Sequence, residues 1–531
     1  MVGLTGIVFK RLKNKLSIKS LSPKYLICFL LGLAVVIWFG VTELRTSALQ
    51  SHFLAKLAPH LTVSVENGES QNIRFPSEGP YDIRLGYSRL PQFIDTLKAA
   101  NYSIVKQARI SSKHSNLIDH GVYPIYREKT RAGLEILDDR EQPMYRALYP
   151  ERTYPDFDSI PPLIVKSLLY IENRELLSPA TATQNPAIEW DRFAMAIFDL
   201  GLSKIIHGRK PHGASTLPTQ MEKFRHSPSG LTSGAMEKLR QMLTASIRAY
   251  LDGTDTTQAR TRIILDYINS IPLSAVPGYG EVNGLGDGLW AWFGSDFHEV
   301  NRILREDPGR DPVKLKAKAQ AYKQVLALFV AQRRPSYYLA QDPKALSALT
   351  DSHLRLMANN GIIDADLLAA GEQMQLTVLH RTNEQHAFSF VERKAANAAR
   401  TGLLNLLRLP ALYELDRLDL KARSTLNTEV QQNINETLQK LKDFQFLQKS
   451  GLLGDRLLSS RNDPGKIVYS VTLFEHVDDV NRLRIQTDTL DQPFNVNEGL
   501  KLDLGSTAKL RTLLTYLEVI EDLHGRYAEF S

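Results

Sequence analysis

Residues 159–175 read Ser-Ile-Pro-Pro-Leu-Ile-Val-Lys-Ser-Leu-Leu-Tyr-Ile-Glu-Asn-Arg-Glu, and this stretch decides the fold class. Its two prolines fit the first turn of a helix, where a missing N–H costs no hydrogen bond. Glu172 lies four residues after Leu168 and seven after Val165, so it continues the apolar face of that helix. A partly desolvated carboxylate suits proton transfer. The pattern predicts a catalytic group at Glu172; the alternative is a helix-terminal glutamate that pairs with Arg174 or a lysine.

Residues 213–223 read Gly-Ala-Ser-Thr-Leu-Pro-Thr-Gln-Met-Glu-Lys and predict the start of a second helix. Ser215 or Thr216 is a suitable N-cap, and a proline falls within the first turn. Free N–H groups at such an end, with Lys223 and Arg225 one to two turns further on, could hold a phosphate group. The alternative is a helix cap that binds no ligand.

In this order, the two stretches resemble motifs of the glycosyltransferase module of class A penicillin-binding proteins. This family 51 transglycosylase polymerises lipid-linked peptidoglycan precursor. Its first motif is Glu-Asp-Arg, and residues 172–174 read Glu-Asn-Arg. Its second is Gly-Gly-Ser-Thr-x-x-x-Gln-x-x-Lys, which residues 213–223 match except that Ala214 replaces the second glycine. The resemblance covers roughly residues 150–380 and includes Lys238, residues 266–269 and residues 292–294.

The resemblance implies a mechanism. Glu172 would deprotonate the 4-hydroxyl of an incoming lipid-linked disaccharide, and that oxygen would attack the anomeric carbon of the growing glycan strand with inversion. Lysines and the capped helix start would stabilise the departing lipid diphosphate, with a divalent cation such as Mg²⁺ as an optional helper. The substrate-binding residues that the resemblance implies are Arg174, Ser215, Thr216, Gln220, Lys223, Lys238 and Asn269.

A third family motif is only partly kept. Where the family has Arg-Lys-x-x-Glu, with a glutamate important for catalysis, residues 237–241 read Glu-Lys-Leu-Arg-Gln. Gln241 therefore fills a catalytic position with an amide, which carries no negative charge and shuttles no proton. Asn173 also replaces the aspartate of the first motif. Besides glycan polymerisation, two functions therefore stay open: a catalytically degenerate binding or scaffold protein of the cell envelope, and glycan cleavage by a lysozyme-like fold with one glutamate acid.

The N-terminus carries a membrane-orientation signal. Residues 1–24 contain six basic residues and no acidic one, and residues 25–42 follow without a charge. As a helix this uncharged run spans about 27 Å, enough for a bilayer core. We expect an uncleaved, single-pass anchor in the bacterial inner (cytoplasmic) membrane, with the bulk of the chain on the periplasmic side. A cleaved signal peptide is the alternative, although no clear small-x-small site follows the run.

Composition excludes several functions. The net charge is +7, but six of these charges lie in residues 1–24, so the basic character gives no support for nucleic-acid binding. The only cysteine, Cys28, lies within the predicted anchor, which rules out an internal disulfide and argues against a thiol enzyme. No metal-binding motif occurs. The glycine-rich run 278–288 lacks the Walker lysine, so we interpret it as a turn-rich loop and not as a nucleotide site.

The predicted fold is multidomain α+β. A small α/β domain at residues 76–145 weakly resembles one that some family members carry before the transferase, where it can bind a regulatory envelope protein; a spacer is the alternative. The predicted segments are a cytoplasmic tail (1–24), a transmembrane helix (25–42), a stem (43–75), the small domain (76–145), a mainly α, lysozyme-like glycosyltransferase domain (146–380), a linker (381–466) and a truncated α/β transpeptidase-like domain (467–531).

Periodicity predicts further elements inside these segments. A helix is expected at residues 233–251, with Met236, Leu239, Leu243, Ile247 and Tyr250 on one face. Residues 188–206 are apolar nearly all round and followed by basic residues, which favours either a buried core helix or a segment that meets the bilayer surface. The remaining predictions are helices at 90–100, 322–331 and 346–359, a helix that begins within 424–431, and strands at 102–108, 122–126, 468–474 and 482–487.

Near the C-terminus, Ser506-Thr-Ala-Lys509 heads a helix with an apolar period. A lysine one turn after a serine can accept the hydroxyl proton, so this Ser-x-x-Lys predicts a transpeptidase nucleophile, Ser506, and its base, Lys509. No Lys-Thr-Gly element follows Lys509. We therefore expect the chain to be the N-terminal part of a longer, bifunctional transglycosylase and transpeptidase.

Overall fold

The computed structural model describes residues 23–76, 78–190, 215–379, 390–454, 458–459, 461, 463–492, 494–501, 503 and 505–528, and helices dominate them. The chain divides into two compact units. The first comprises Met1–Leu134, Ala147–Asn383 and Leu406–Leu420; the second comprises Glu135–Arg146, Glu384–Asn405 and Lys421–Ser531. Most of the predicted small domain and the predicted transferase domain therefore share one compact unit.

The N-terminal helix α1, Pro23–Thr46, agrees with the predicted anchor and extends four residues beyond its predicted end. Its segment Phe29–Thr46 has a mean hydropathy of 1.6 and contains no buried residue. Within the residues that the structure describes, it is the one helix long and apolar enough to cross a membrane.

Helix α2, Ala48–Leu57, follows α1 after a single residue, Ser47, which has a φ of 52°. The carboxylate of Glu43 accepts hydrogen bonds from the backbone N–H groups of Leu49 (2.8 Å) and Gln50 (3.0 Å). These bonds satisfy two free donors at the start of α2. The turn between the two helices is thus fixed by a side chain of the first.

The loop before residue 191 also contacts the end of α1. The hydroxyls of Thr181 and Thr183 donate to the backbone oxygen of Thr46 at 3.2 and 2.7 Å, and the N–H of Asn185 donates to Ser47 Oγ at 3.1 Å. Carbonyl groups at a helix C-terminus lack partners within the helix. Here the loop supplies one, so the end of α1 is attached to the helical body that follows.

A small two-stranded sheet follows α2. Strand β1, Val63–Asn67, pairs antiparallel with β2, Lys106–Ile110. The predicted stem at 43–75 is therefore helical only in part, because β1 lies within it. The helices of this region are α3 (Pro80–Arg84), α4 (Leu90–Ala99) and α5 (Ser112–Asp119). Helix α4 confirms the prediction at 90–100.

The predicted strand at 122–126 is wrong, because this segment is extended but pairs with no strand in the described part of the chain. Its backbone groups form hydrogen bonds with side chains instead. The N–H of Tyr123 donates to Thr244 Oγ1 (3.1 Å) and that of Ile125 to His114 Nε2 (2.9 Å), while Arg248 donates to the backbone oxygens of residues 124 and 126. Several backbone groups of these extended residues thus find partners without a neighbouring strand.

The body of the first unit is helical. Helix α12 (Pro312–Ala331) is buried along its second half, and its neighbours pack around it in one core that includes Leu168, Tyr267 and Trp292. The helices are α6 (Pro162–Glu172), α7 (Leu217–His226), α8 (Ala235–Ala249), α9 (Thr257–Ser270), α10 (Leu285–Phe293), α11 (Phe297–Arg305), α12 (Pro312–Ala331), α13 (Pro343–Asn359) and α14 (Ala365–Gln373). Those predicted at 233–251, 322–331 and 346–359 are confirmed as α8, α12 and α13.

The described strands form four small sheets. Beyond β1 and β2 they are β3 (Ala132–Leu137), β4 (Pro143–Tyr149), β5 (Pro272–Val276), β6 (Gly280–Asn283), β7 (Leu420–Arg423), β8 (Ser470–Val477) and β9 (Val480–Asp488). Strands β4, β3 and β7 form a sheet in that order, and β5 pairs with β6 and β8 with β9 as antiparallel hairpins. The hairpin of β8 and β9 confirms the strands predicted at 468–474 and 482–487.

The glycine-rich run 278–288 is a hairpin turn, strand β6 and the start of α10, which agrees with the turn-rich interpretation. Gly284 has a φ of 80°, and a Cβ there would lie 2.6 Å from the backbone oxygen of Asn269. Only glycine fits this close contact, which joins the hairpin to helix α9.

The remaining helices are α15 (Phe390–Leu406), α16 (Leu412–Arg417), α17 (Thr428–Lys440), α18 (Phe444–Lys449), α19 (Val496–Gly499) and α20 (Ala508–Tyr527). Helix α17 confirms the start expected within 424–431. In the second unit Lys394 and Asp488 form a buried ion pair, and Asp488 also accepts from the N–H groups of Leu490 (2.9 Å) and Val496 (3.0 Å). This carboxylate thus connects helix α15, strand β9 and helix α19.

Candidate active site

Glu172 is the last residue of helix α6 and is 8% exposed. Two side-chain amides bind its carboxylate. Gln220 Nε2 donates to Oε2 and Gln332 Nε2 donates to Oε1, each at 2.8 Å. The sequence prediction that Glu172 turns toward the apolar interior is confirmed. The two amides fix the orientation of the carboxylate in a place from which bulk water is largely excluded.

Helix α7 brings two predicted residues to Glu172. Its N-cap is Thr216, whose N–H donates to Thr219 Oγ1 at 3.0 Å, as in a capping box. One turn into the helix, Gln220 and Lys223 lie on the face directed at Glu172, since they are three residues apart. The structure thus brings Glu172, Gln220 and Lys223 together.

Lys223 is a half-buried cation beside this carboxylate. Burial lowers the pKa of Lys223, and the nearby Glu172 opposes that shift. Within the described part of the chain the Lys223 ammonium makes no hydrogen bond, so it can bind an anionic group of a ligand.

Lys238, on helix α8, lies beside the cluster of Glu172, Gln220 and Lys223. Its Nζ donates to Ser215 Oγ at 2.8 Å and lies 3.3 Å from Thr219 Oγ1. Burial, with a smaller contribution from Lys223, lowers the pKa of Lys238 to about 8. Two lysines close enough to influence each other, next to a helix N-terminus, form a positive site that suits a diphosphate.

Arg174 is exposed, and its own helix holds it. Its Nε donates to the backbone oxygen of Tyr170 at 3.2 Å, and its guanidinium lies 4.0 Å from the centre of the Tyr170 ring. Its side chain therefore folds back over the end of α6, where the arrangement permits a contact with a ligand that enters from solvent.

Gln241 lies apart from this group. It is fully buried, and its Nε2 donates to Ser227 Oγ at 2.9 Å and to Thr232 Oγ1 at 3.0 Å. Its amide thus joins protein groups to one another and does not face Glu172. The catalytic role that the resemblance implies for position 241 stays a prediction.

Asn269 is also held within the protein. It is 2% exposed; its Oδ1 accepts from the N–H of Tyr154, and its Nδ2 donates to the Tyr154 backbone oxygen, both at 2.9 Å. The Asn269 amide thus makes the two hydrogen bonds that a neighbouring strand would otherwise make with the backbone N–H and oxygen of Tyr154. The structure does not bring Asn269 to the group around Glu172.

Ser506 and Lys509 belong to the second unit. Ser506 lies in a short 3₁₀ turn, Gly505–Thr507, immediately before helix α20, and both side chains are exposed. The helix predicted after this motif is confirmed. The roles of Ser506 as nucleophile and Lys509 as base stay predictions.

Gln332 is the functional candidate that the sequence analysis missed. It follows α12 directly, as the C-cap residue, and its bond to Glu172 joins residues 160 positions apart. No local pattern reveals such a contact, because only the folding of α6 against α12 creates it.

A divalent cation also stays a prediction. Among the described residues, no three His, Cys, Asp or Glu side chains converge as metal ligands. Mg²⁺ is usually held by one or two carboxylates together with substrate phosphates and water. Of the described side chains named above only Glu172 is a carboxylate, so these side chains do not by themselves make a Mg²⁺ site.

Residues 140–358 match the family model described as Transglycosylase. The matched segment contains Glu172, Gln220, Lys223, Lys238 and Gln332, and it supports a family 51 glycosyltransferase module within this chain. No curated protein matches the chain.

Proposed function

We propose that the chain is a membrane-anchored peptidoglycan glycosyltransferase that polymerises lipid-linked disaccharide precursor into glycan strands. The observation that carries the proposal is a buried carboxylate, Glu172, held by Gln220 and Gln332 with Lys223 beside it. The match to the transglycosylase family supports the same reaction class.

In the proposed reaction Glu172 is the base. A carboxylate oxygen has two lone pairs, so one that accepts an amide hydrogen can also take a proton from a substrate hydroxyl. The deprotonated 4-oxygen of the incoming sugar forms a bond to the anomeric carbon of the growing strand, and the bond from that carbon to the diphosphate breaks. Lys223 and Lys238 stabilise the charge that develops on the departing diphosphate.

The surface near Lys238 supports a location at the membrane. Helix α8 and the loop before it expose large apolar side chains: Leu231 (65%), Met236 (78%), Leu239 (53%) and Leu243 (47%). The sequence analysis grouped Met236, Leu239 and Leu243 with Ile247 and Tyr250, but only the last two are buried. An exposed apolar strip, in a chain that also has a predicted anchor helix, suits contact with lipid. The segment 188–206, predicted to be either a core helix or a contact with the bilayer, lies mostly outside the described residues.

The test is glycan polymerisation from purified lipid-linked disaccharide. Wild-type protein should form polymer, and Glu172→Gln should lose activity by roughly a hundredfold or more, because the base is removed. Glu175→Gln, which changes an exposed glutamate three residues away, is the matched control and should stay active. Full activity of Glu172→Gln would refute the assignment, and release of soluble fragments from purified cell wall would indicate hydrolysis instead.

A binding or scaffold protein is the second candidate, because Asn173 and Gln241 are neutral where the family has carboxylates. Asn173 is 2% exposed, and its Oδ1 has no hydrogen-bond partner in the described structure. This candidate predicts that a lipid-linked precursor binds but that no polymer forms even at high protein concentration. If the protein is also a transpeptidase with Ser506 as its nucleophile, a β-lactam should label Ser506 covalently.

A further inference from the structure

We propose that Tyr123 is a positioning residue of the transferase site and that Gln241 belongs to its hydrogen-bond network instead of being a disabled catalytic acid. The inference rests on the proposed function. Tyr123 lies outside the segment that matches the transglycosylase family, in the extended residues before it, and its side chain is buried.

A directed chain of hydrogen bonds starts at Gln241. Its amide donates to Ser227 Oγ (2.9 Å), and Ser227 Oγ lies 2.7 Å from the phenol oxygen of Tyr123. The phenol donates to Glu237 Oε1. Because the single phenol hydrogen goes to Glu237, the Ser227 hydroxyl must donate to Tyr123. The hydrogen bonds therefore all run in one direction, from Gln241 through Ser227 and Tyr123 to Glu237. Bonds aligned in this way polarise and strengthen one another.

The same tyrosine contacts helix α8 over two turns. Besides Glu237, its ring lies 4.3 Å from the guanidinium of Arg240, and its backbone N–H donates to Thr244. Residues 237, 240 and 244 are spaced three and four apart, so they form one face of the helix. Tyr123 thus fixes the rotation of α8 about its axis.

Gln241 is suited to this network and a glutamate is not. Its side chain is fully buried, and both amide hydrogens are used, one by Ser227 and one by Thr232. A carboxylate has no hydrogen to donate and would be buried near Glu237, where desolvation and like charge both oppose ionisation. The two positions at which the third motif departs from the family, 237 and 241, are therefore both members of the Tyr123 network.

Lys238 connects the network to the reaction. It lies next to Glu237 on α8, and its ammonium reaches Ser215. A small rotation of α8 would move this ammonium away from the diphosphate, and misplacement of about 1 Å can cost roughly a hundredfold in rate. Tyr123 thus acts on catalysis through the position of Lys238.

The test compares Tyr123→Phe with Tyr126→Phe in the full-length protein. Tyr126 lies in the same segment and its phenol also donates to a buried carboxylate, Asp82, at 2.6 Å, but it does not contact helix α8 through that group. Tyr123→Phe should lower kcat roughly tenfold with KM within about twofold. Tyr126→Phe should lose similar thermal stability and keep kcat. Equal kcat for the two variants would overturn the proposal.

Two further measurements separate this proposal from the proposed function. The first is the pH dependence of acetylation of Lys238, read by mass spectrometry, which needs no enzymatic activity. Tyr123→Phe should raise the apparent pKa of Lys238 above about 8 toward that of an exposed lysine, because a displaced ammonium is better hydrated. An unchanged titration would overturn the proposal even if the wild-type protein forms no polymer.

The second is Gln241→Glu, which installs the family residue. We expect lower activity and lower stability than wild type, with partial recovery when Glu237→Gln removes the neighbouring negative charge. Increased polymerisation by Gln241→Glu alone would show that position 241 is a disabled catalytic acid and would overturn the proposal.

Discussion

Gln332 Nε2 donates a hydrogen bond to Glu172 Oε1 over 2.8 Å, so the end of helix α12 helps to hold the carboxylate at the end of helix α6. Hydrogen bonds to charged groups contribute about 1.5–3 kcal/mol, and 1.36 kcal/mol corresponds to a tenfold change in rate. We expect Gln332→Leu to lower kcat by roughly ten- to a hundredfold, measured by glycan polymerisation.

A control for Gln332 is Gln324→Leu on the same helix. Gln324 is 7% exposed and accepts a hydrogen bond from Ser295, not from Glu172. This variant should lower the melting temperature and leave kcat within about twofold. If Gln332→Leu behaves in the same way, Gln332 serves stability alone.

Lys238 should set the alkaline limit of activity. Burial and Lys223 lower the pKa of Lys238 to about 8, so its ammonium loses its proton as the pH rises through 8, and with it the charge that stabilises the departing diphosphate. We expect kcat to fall above pH 8. In Lys238→Arg, which stays charged, the decline should move to higher pH. The same limit in both proteins would assign it to another group.

His226 should make folding stability depend on pH. Burial opposes the charged form, but hydrogen bonds to Asp82 (2.8 Å) and Glu128 (3.0 Å) raise the pKa of His226 to about 9. Because the folded pKa exceeds the unfolded value of about 6.5, this stabilisation is complete below pH 6.5 and is lost as the pH rises to 9. The shift corresponds to about 3 kcal/mol.

Urea unfolding of the wild-type protein and of His226→Gln tests this expectation. The wild type should lose stability between pH 6.5 and 9, whereas His226→Gln should be less stable at pH 6 and nearly independent of pH over the same interval. His60→Gln, at an exposed position, should follow the wild type. If the stability of all three proteins declines equally with pH, a group other than His226 causes the pH dependence.

Asn269→Ala should affect stability more than catalysis. The substitution leaves the buried N–H and backbone oxygen of Tyr154 without partners, which costs about 1–3 kcal/mol for each group. We expect a lower melting temperature and an unchanged KM for the lipid-linked precursor. A large rise in KM in a stably folded variant would restore Asn269 to the substrate-binding residues.

The local sequence pattern is sufficient to predict the two helices, α6 and α7, that carry the site. The proline-led start and apolar spacing of α6 and the cap of α7 act within a few residues, so the sequence reveals these helices and places Glu172 on an inward face. The extended segment at 122–126 shows the limit of this reasoning. Its composition suits a strand, but its backbone groups are bound by the side chains of Thr244, His114 and Arg248.

The family resemblance also predicts substrate binding for residues that have different surroundings in the fold. Gln220 and Asn269 are both amides in matched motifs, yet one binds Glu172 and the other binds the backbone of Tyr154. Gln332 and Tyr123 could not be found, because their bonds join residues 160 and 114 positions apart. Such contacts depend on how the helices pack, which a single sequence does not specify.

The bonds from Thr181 and Thr183 to the carbonyl of Thr46 determine how the proposed enzyme meets its substrate. A membrane helix joined to its catalytic body by a flexible linker would let that body sample a range of heights above the lipid headgroups. Here the attachment is short and hydrogen-bonded, so we expect the height of the proposed active site above the bilayer to vary little. The lipid tail of the proposed precursor would also stay in the bilayer, so encounter would become a search in two dimensions, governed by lateral diffusion and by the density of precursor in the leaflet.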